Sequence, residues 1–157
     1  MANIHEELIL VDVEAKNYEE AIRKVGKQLF DNGYVKDTYI DAVVAREADF
    51  PTGLHLEGID IAMPHTAGVH VNTPAVCVAK LKNPVEFSHM GDPDTKVQAT
   101  LLFMMAIKDP DAQIETLQAV MGVFTNQEAI EELNKAKTKE ELFSVAKKYI
   151  KWYNINN

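Results

Sequence analysis

The stretch VQATLLFMMAI, Val97 to Ile107, is apolar at every position from Leu101 onward. The run is far too short to span a bilayer, which takes about 20 residues. As a strand it has no side to offer to water, because successive side chains point to opposite faces. A strand of this kind belongs near the middle of a sheet, with helices packed above and below it.

The rest of the chain supplies those layers. EELILVDVEA reads as a first strand. Asn17 followed by Glu20 resembles a capping box, and Ala21, Ile22, Val25, Leu29 and Phe30 then share one helical face, with Gly33 closing the helix. A second helix fits Thr38 to about Ala48, with Ile40, Val43 and Val44 inward and Arg46 in its last turn, about one helical step off that stripe. PTGL (Pro51 to Leu54) has the chemistry of a turn. IDIAM and PAVCVAKL read as strands, and NPVEFSHMGDPDT as a short strand or hairpin arm leading into a turn-rich loop. Asp109 is an N-cap with Pro110 at the first helical position, ahead of a stripe of Ile114, Leu117, Val120, Met121 and Phe124. Helices over 127–136 and 139–153 follow, the last capped by Thr138 with Glu141 at N3. The expected fold is a single α/β domain over residues 1–157, a mixed sheet sandwiched between helical layers.

Charge narrows the partners. The formal net charge is −8, which argues against a nucleic-acid surface, since phosphates require clustered Lys and Arg. MANIHEELIL lacks the basic start and apolar stretch of a signal peptide. No direct membrane insertion is expected. The single cysteine, Cys77, excludes an internal disulfide and fits a reducing cytoplasm.

The chemistry concentrates in GIDIAMPHTAGVH, Gly58 to His70. Ile59, Ile61 and Met63 alternate as in a half-buried strand, and Pro64, with no N–H to give a ladder, ends it. His65 comes next. None of the five histidines forms an HExxH pattern, and the His65–His70 spacing has no strong metal precedent, so no metal is expected, although a metal-binding role for that pair stays open. Read alone, His65 is a hydrogen-bonded histidine at a strand end. Arg46 alters that reading, because a single Pro-Thr-Gly turn separates the end of its helix from the start of the strand that leads to His65. A neutral imidazole is available near pH 7, and a guanidinium can bind the equatorial oxygens of a migrating phosphoryl group. The helix N-terminus at Asp109 to Gln113 is expected to add backbone donors. Such a site needs no metal.

The linked residues VVAREADFPTGLHLEGIDIAMPHT, Val43 to Thr66, resemble the signature of the fructose/mannitol-type (type 2) enzyme IIA domains of the bacterial phosphoenolpyruvate-dependent sugar phosphotransferase system. The similarity in element order covers about residues 5 to 150. The resemblance implies that His65 takes a phosphoryl group on Nε2 from the histidine-containing phosphocarrier protein and passes it to a cysteine of a sugar-specific IIB component. It places Arg46 at the family's phosphate-stabilising arginine, has Nδ1 held by an acceptor, and implies no cofactor beyond the transient phosphohistidine. Many members carry a second active-site histidine where Gln113 stands; Gln can donate a hydrogen bond but carries no charge. With READFPTG, AMPH and this Gln, the chain looks most like the galactitol-specific enzyme IIA. A regulatory phosphorelay protein of the nitrogen-related enzyme IIA type is the alternative. Thr52, Thr66 and His70 are possible supporting residues, although turn, cap and loop roles explain them as well. Glu47, Asp49, Glu57 and Asp60 read as a solvated acidic flank that, if it rings His65, would steer a basic carrier. Cys77 reads as a buried strand residue, and His55 and His89 carry no motif.

Overall fold

The computed structural model describes residues 4–150. A 3-10 turn at Glu6–Leu8 leads into β1 (Ile9–Val13), α1 (Tyr18–Asp31), α2 (Tyr39–Asp49), β2 (Gly53–Leu56) and β3 (Ile59–Ala62). A second 3-10 turn at Gly68–His70 precedes β4 (Ala75–Ser88), β5 (Lys96–Ala106), α3 (Pro110–Val123), α4 (Gln127–Lys135) and α5 (Lys139–Tyr149). Among the described residues the strands form one sheet in the order β1-β4-β5-β3-β2. β1 runs parallel to β4 and β3 parallel to β5, while β4–β5 and β2–β3 are antiparallel. The sheet is therefore mixed, as the sequence predicts.

β5 is covered on both faces. Leu101, Phe103 and Met105 belong to a core with Val120, Phe124, Ile130, Leu133 and Leu142, from α3 to α5. Leu102, Met104 and Ala106 belong to a second core with Ile22, Val25, Leu29, Tyr39 and Val43, from α1 and α2. The period-two alternation of the strand thus divides one apolar run between two hydrophobic layers. Each such side chain, fully buried, contributes roughly 1.5–3 kcal/mol.

The helices start and stop where side chains satisfy their free ends. Asn17 accepts the Glu20 N–H at 2.9 Å, but Glu20 turns back to the Lys16 N–H rather than to Asn17, so the predicted box is half made. The Thr138–Glu141 box is complete. Lys80, on β4, reaches across to donate to the carbonyls of Leu133, Asn134 and Ala136. These are orphan acceptors at the end of α4, which a lysine is well suited to hold.

Three expectations change. PTGL is a turn only in its first half: Pro51 and Thr52 join α2 to β2, but Gly53 and Leu54 are already in β2, paired with Ala62 and Ile61. The chain reverses at Glu57–Gly58 instead, where Gly58 has φ +93°, a conformation that costs glycine nothing. Gly53 is glycine for space, since a Cβ there would meet the Ser88 carbonyl oxygen at 2.6 Å and Val97 Cγ2 at 2.7 Å. Phe30, Ile114 and Met121 are exposed, because α1 and α3 turn other flanks to the sheet; α3 buries Thr116, Val120 and Val123. The last helix ends at Tyr149, and its expected continuation to 153 lies outside the described residues.

Gly53→Ala is expected to destabilise the protein by about 1–3 kcal/mol, since backbone must move to admit the methyl group. Gly122→Ala, where a Cβ meets nothing within 4 Å on α3, is expected to stabilise by roughly 0.5–1 kcal/mol. Urea-denaturation midpoints at unchanged slope check both signs.

Candidate functional site

β3 and β5 run side by side and end at the same edge of the sheet. Met105 N–H still donates to the Pro64 carbonyl at 3.0 Å, but Pro64 has no donor to return and the pairing stops. His65 therefore stands at the C-terminal edge of the parallel pair. Its Nδ1 lies 2.8 Å from the Met63 carbonyl oxygen. A carbonyl only accepts, so Nδ1 carries the proton and the neutral ring has its lone pair on Nε2. Burial of the partly buried ring holds its pKa below the usual imidazole range; the Met63 bond opposes this and the charge of Arg46 adds to it. The ring borders a small recess shared with Met105, Ile107, Gln113 and Leu117.

Arg46 occupies the last turn of α2 and is exposed. Its guanidinium carbon sits 5.1 Å from the centroid of the Phe50 ring, a stacking that restrains a flexible side chain. No carboxylate lies within salt-bridge distance of it among the described residues. The cation is left without a fixed anion, and its charge is one of the causes that lower the His65 pKa.

The supporting candidates divide. Gln113 donates through Nε2 to the carbonyls of Thr66 (2.9 Å) and Ile107 (3.1 Å). It ties the loop after His65 to the end of β5, and both its amide hydrogens are engaged. Thr66 is buried beside it. Thr52 is also buried and is committed elsewhere: its N–H and hydroxyl donate to the Glu47 carboxylate at 2.7 and 2.8 Å, and its Oγ1 accepts the Met63 N–H at 3.1 Å. His70 shares a 2.7 Å hydrogen bond through Nδ1 with the Thr38 hydroxyl, at the start of α2. Among the described residues no three His, Cys, Asp or Glu side chains cluster to hold a metal ion.

Two expectations about charge are corrected. The N-terminus of α3 is not an open anion site: Asp109 accepts the Asp111 N–H at 2.9 Å, and both carboxylates lie at that end. The acidic flank is not one surface either. Asp60 is at the far end of β3, bonded to His55 Nδ1 and the Gln98 N–H, and Glu47 is buried at 5% exposure. Desolvation pushes the Glu47 carboxyl up to about 7, against the two Thr52 bonds and the Arg46 charge, which pull it down.

Glu47 is the residue that sequence reasoning misplaced, although a signal was present. Tyr39, Val43 and Glu47 follow one another at four-residue spacing, and all three are the buried residues of α2. Gly68 was also overlooked. A Cβ there would fall 1.8 Å from the Lys108 carbonyl oxygen, so the loop after His65 lies directly against the segment joining β5 to α3.

With this geometry in view, comparison with known proteins places the chain. Residues 2–149 match the family described as "Phosphoenolpyruvate-dependent sugar phosphotransferase system, EIIA 2", and the chain belongs to that family. It is a phosphotransferase component, the IIA part of a sugar transport system. It is 32% identical over 114 residues to the galactitol-specific EIIA component of Escherichia coli (strain K12), covering 73% of this chain and 75% of that one. It is equally 32% identical, over 148 residues, to the mannitol-specific enzyme IIA component of Geobacillus stearothermophilus, covering 92% and 95%. Enzyme IIAMTL of Escherichia coli, solved in complex with phosphorylated enzyme IIBMTL, superposes with a TM-score of 0.77 at 26% identity, over 92% of this chain and 97% of that one.

The buried carboxyl makes a measurable prediction. Glu47 binds its proton more tightly folded, near pH 7, than at the ordinary value of 4.5. Its contribution to stability is therefore lost as pH rises between those values. The difference corresponds to about 3 kcal/mol. Relative to Glu47→Gln, the native protein is expected to lose stability by that order between pH 4.5 and 7.5 in urea unfolding. Making both measurements in a His65→Ala background removes the opposite contribution of His65, whose lowered pKa favours folding above its ordinary range.

Proposed function

We propose that this chain is a cytoplasmic phosphocarrier in which His65 Nε2 accepts a phosphoryl group from the histidine-containing phosphocarrier protein and donates it to a cysteine of a sugar-specific IIB component. The observation that supports this is the His65 ring itself, neutral, with Nδ1 bonded to the Met63 carbonyl and the unpaired Arg46 guanidinium acting on it. In the first step the Nε2 lone pair attacks phosphorus, a P–N bond forms, and the carrier's P–N bond breaks with its electron pair returning to the carrier's imidazole. Positive charge that develops on the His65 ring spreads toward Nδ1–H, where the Met63 oxygen receives it. Arg46 meets the equatorial oxygens. In the second step a cysteine thiolate of the IIB partner attacks the same phosphorus and the P–Nε2 bond breaks. No proton need leave Nδ1 in either step, and the transfer uses no resident cofactor.

Thr66, next to His65 in the chain, is buried, and its carbonyl accepts from Gln113; it serves the site by fixing the loop. Gln113 acts by holding the loop after His65, Thr52 by accepting the Met63 N–H ahead of it, and His70 by fastening the loop to the start of α2. The cargo is a hexitol, with galactitol favoured by the READFPTG and AMPH stretches together with Gln113. No described helix is long and apolar enough to cross a membrane.

Incubation with phosphoenolpyruvate, enzyme I and the carrier protein is expected to give an acid-labile adduct that His65→Ala lacks; an adduct persisting in that variant overturns the assignment. Arg46→Gln is expected to slow transfer by at least about tenfold while the fold survives. A panel of purified IIB domains then decides the cargo: transfer to a galactitol-type partner is expected, and acceptance by none of them overturns the transport reading in favour of a regulatory phosphorelay.

A further inference from the structure

Glu47 has no part in the transfer as written, yet it is the most expensive side chain near the site. It is an acidic group at 5% exposure, without a cation at salt-bridge distance among the described residues. Burial of an unpaired carboxylate opposes folding, so stability does not explain its presence. Its hydrogen bonds suggest what does.

Both carboxylate oxygens are used by Thr52, Oε2 by the backbone N–H and Oε1 by the hydroxyl. A hydroxyl has one proton. Because Glu47 takes it, the lone pairs of Thr52 Oγ1 are left to accept the Met63 N–H at 3.1 Å. The carbonyl of the same residue accepts Nδ1–H of His65 at 2.8 Å. Met63 is thereby held at its N–H from one side and engaged at its C=O on the other, and its own side chain is fully buried. The chain of bonds has a direction: an ionised acceptor at one end forces every donor to point toward it as far as Met63. A glutamine at 47 would reverse the first bond, donating to Oγ1 and leaving the hydroxyl proton to compete with the Met63 N–H.

We propose that Glu47 is a positioning residue for His65: through Thr52 and Met63 its buried carboxylate aims the carbonyl that holds Nδ1–H, and so presents Nε2 to the incoming phosphoryl group. The proposal rests on the phosphoryl-transfer reading of His65 for its consequence, but not for its geometry. Glu47 touches no reacting atom. It acts by keeping the imidazole in one tautomer and one orientation, which a nucleophile at a strand end needs if transfer between two proteins is to be fast.

The test uses the full chain labelled with 15N, at pH 8, where Glu47 is ionised. Long-range 1H–15N spectra report the His65 tautomer directly, and steady-state transfer from the phosphorylated carrier protein is measured alongside. The native protein is expected to show a single Nδ1–H tautomer. In Glu47→Gln and Thr52→Val the two ring nitrogens are expected to move toward averaged shifts, and kcat to fall at least about tenfold with KM for the carrier little changed. Thr52→Ser, which returns the hydroxyl, is expected to restore the single tautomer. If Glu47→Gln does not fold, the Thr52→Val and Thr52→Ser pair carries the decision. Folded Glu47→Gln and Thr52→Val proteins that keep a pure Nδ1–H tautomer and transfer within twofold of native overturn the proposal. The two readings fail separately. A native protein that never gains phosphate, but whose tautomer responds to Glu47 and Thr52, defeats the transfer reading alone. An intact phosphohistidine with an unresponsive tautomer defeats the positioning proposal alone.

Discussion

From Leu101 to Ala106 strand β5 has no solvent face, and the arrangement of the other elements answers to that. Leu101, Phe103 and Met105 need cover on one side and Leu102, Met104 and Ala106 on the other. The helices must therefore be divided between two layers, α1 and α2 opposite α3 to α5. Once β5 is central, β3 beside it is parallel, and both strands lead toward the same edge of the sheet. That shared edge is where backbone pairing gives out and side chains can be presented to another molecule. The fold creates the site by stopping β3 beside a strand that runs on past it.

The chemistry at that edge depends on charges kept in different environments over very short sequence distances. Arg46 and Glu47 are adjacent in α2, about 100° apart around the helix axis. One is exposed and stacked on Phe50; the other is buried against Thr52. The cation is left available to an anionic visitor and the anion is sequestered behind the strand end, where it organises hydrogen bonds. Between them the His65 ring is kept neutral by burial and by the nearby guanidinium. On the proposed reading this is a nucleophile with its lone pair on Nε2, a counter-charge for the phosphoryl oxygens, and a rear support that touches neither.

Much of this was legible in advance, for identifiable reasons. The apolar run of β5, the caps at Asn17, Asp109 and Thr138, and the strand stop at Pro64 are local signals that depend on a residue and its near neighbours. Their outcome in the structure matches. The mixed sheet followed from them. PTGL misled because Gly53 has two possible reasons to be glycine, and only the packing of β2 against Ser88 and Val97 reveals which one operates. Ile114 and Met121 misled because an amphipathic stripe with apolar residues on several flanks does not say which flank the sheet will take.

What the sequence by itself determined was the helices, most of the strands and the pairing of Pro64 with His65, because periodicity, capping and the missing proline N–H are properties of a short segment in any surroundings; β2, and the continuity of β4 from Ala75 to Ser88, it did not. It also carried the family signature from Val43 to Thr66. What only the tertiary structure decided was the company each side chain keeps: Gln113 spent on two carbonyls, Thr52 enclosed by Glu47 and Met63, the Nδ1 of His65 on a backbone oxygen. Those contacts join residues whose separation along the chain says nothing about their separation in space. Desolvation too, which governs the protonation of Glu47 and His65, exists only once the layers have closed around them.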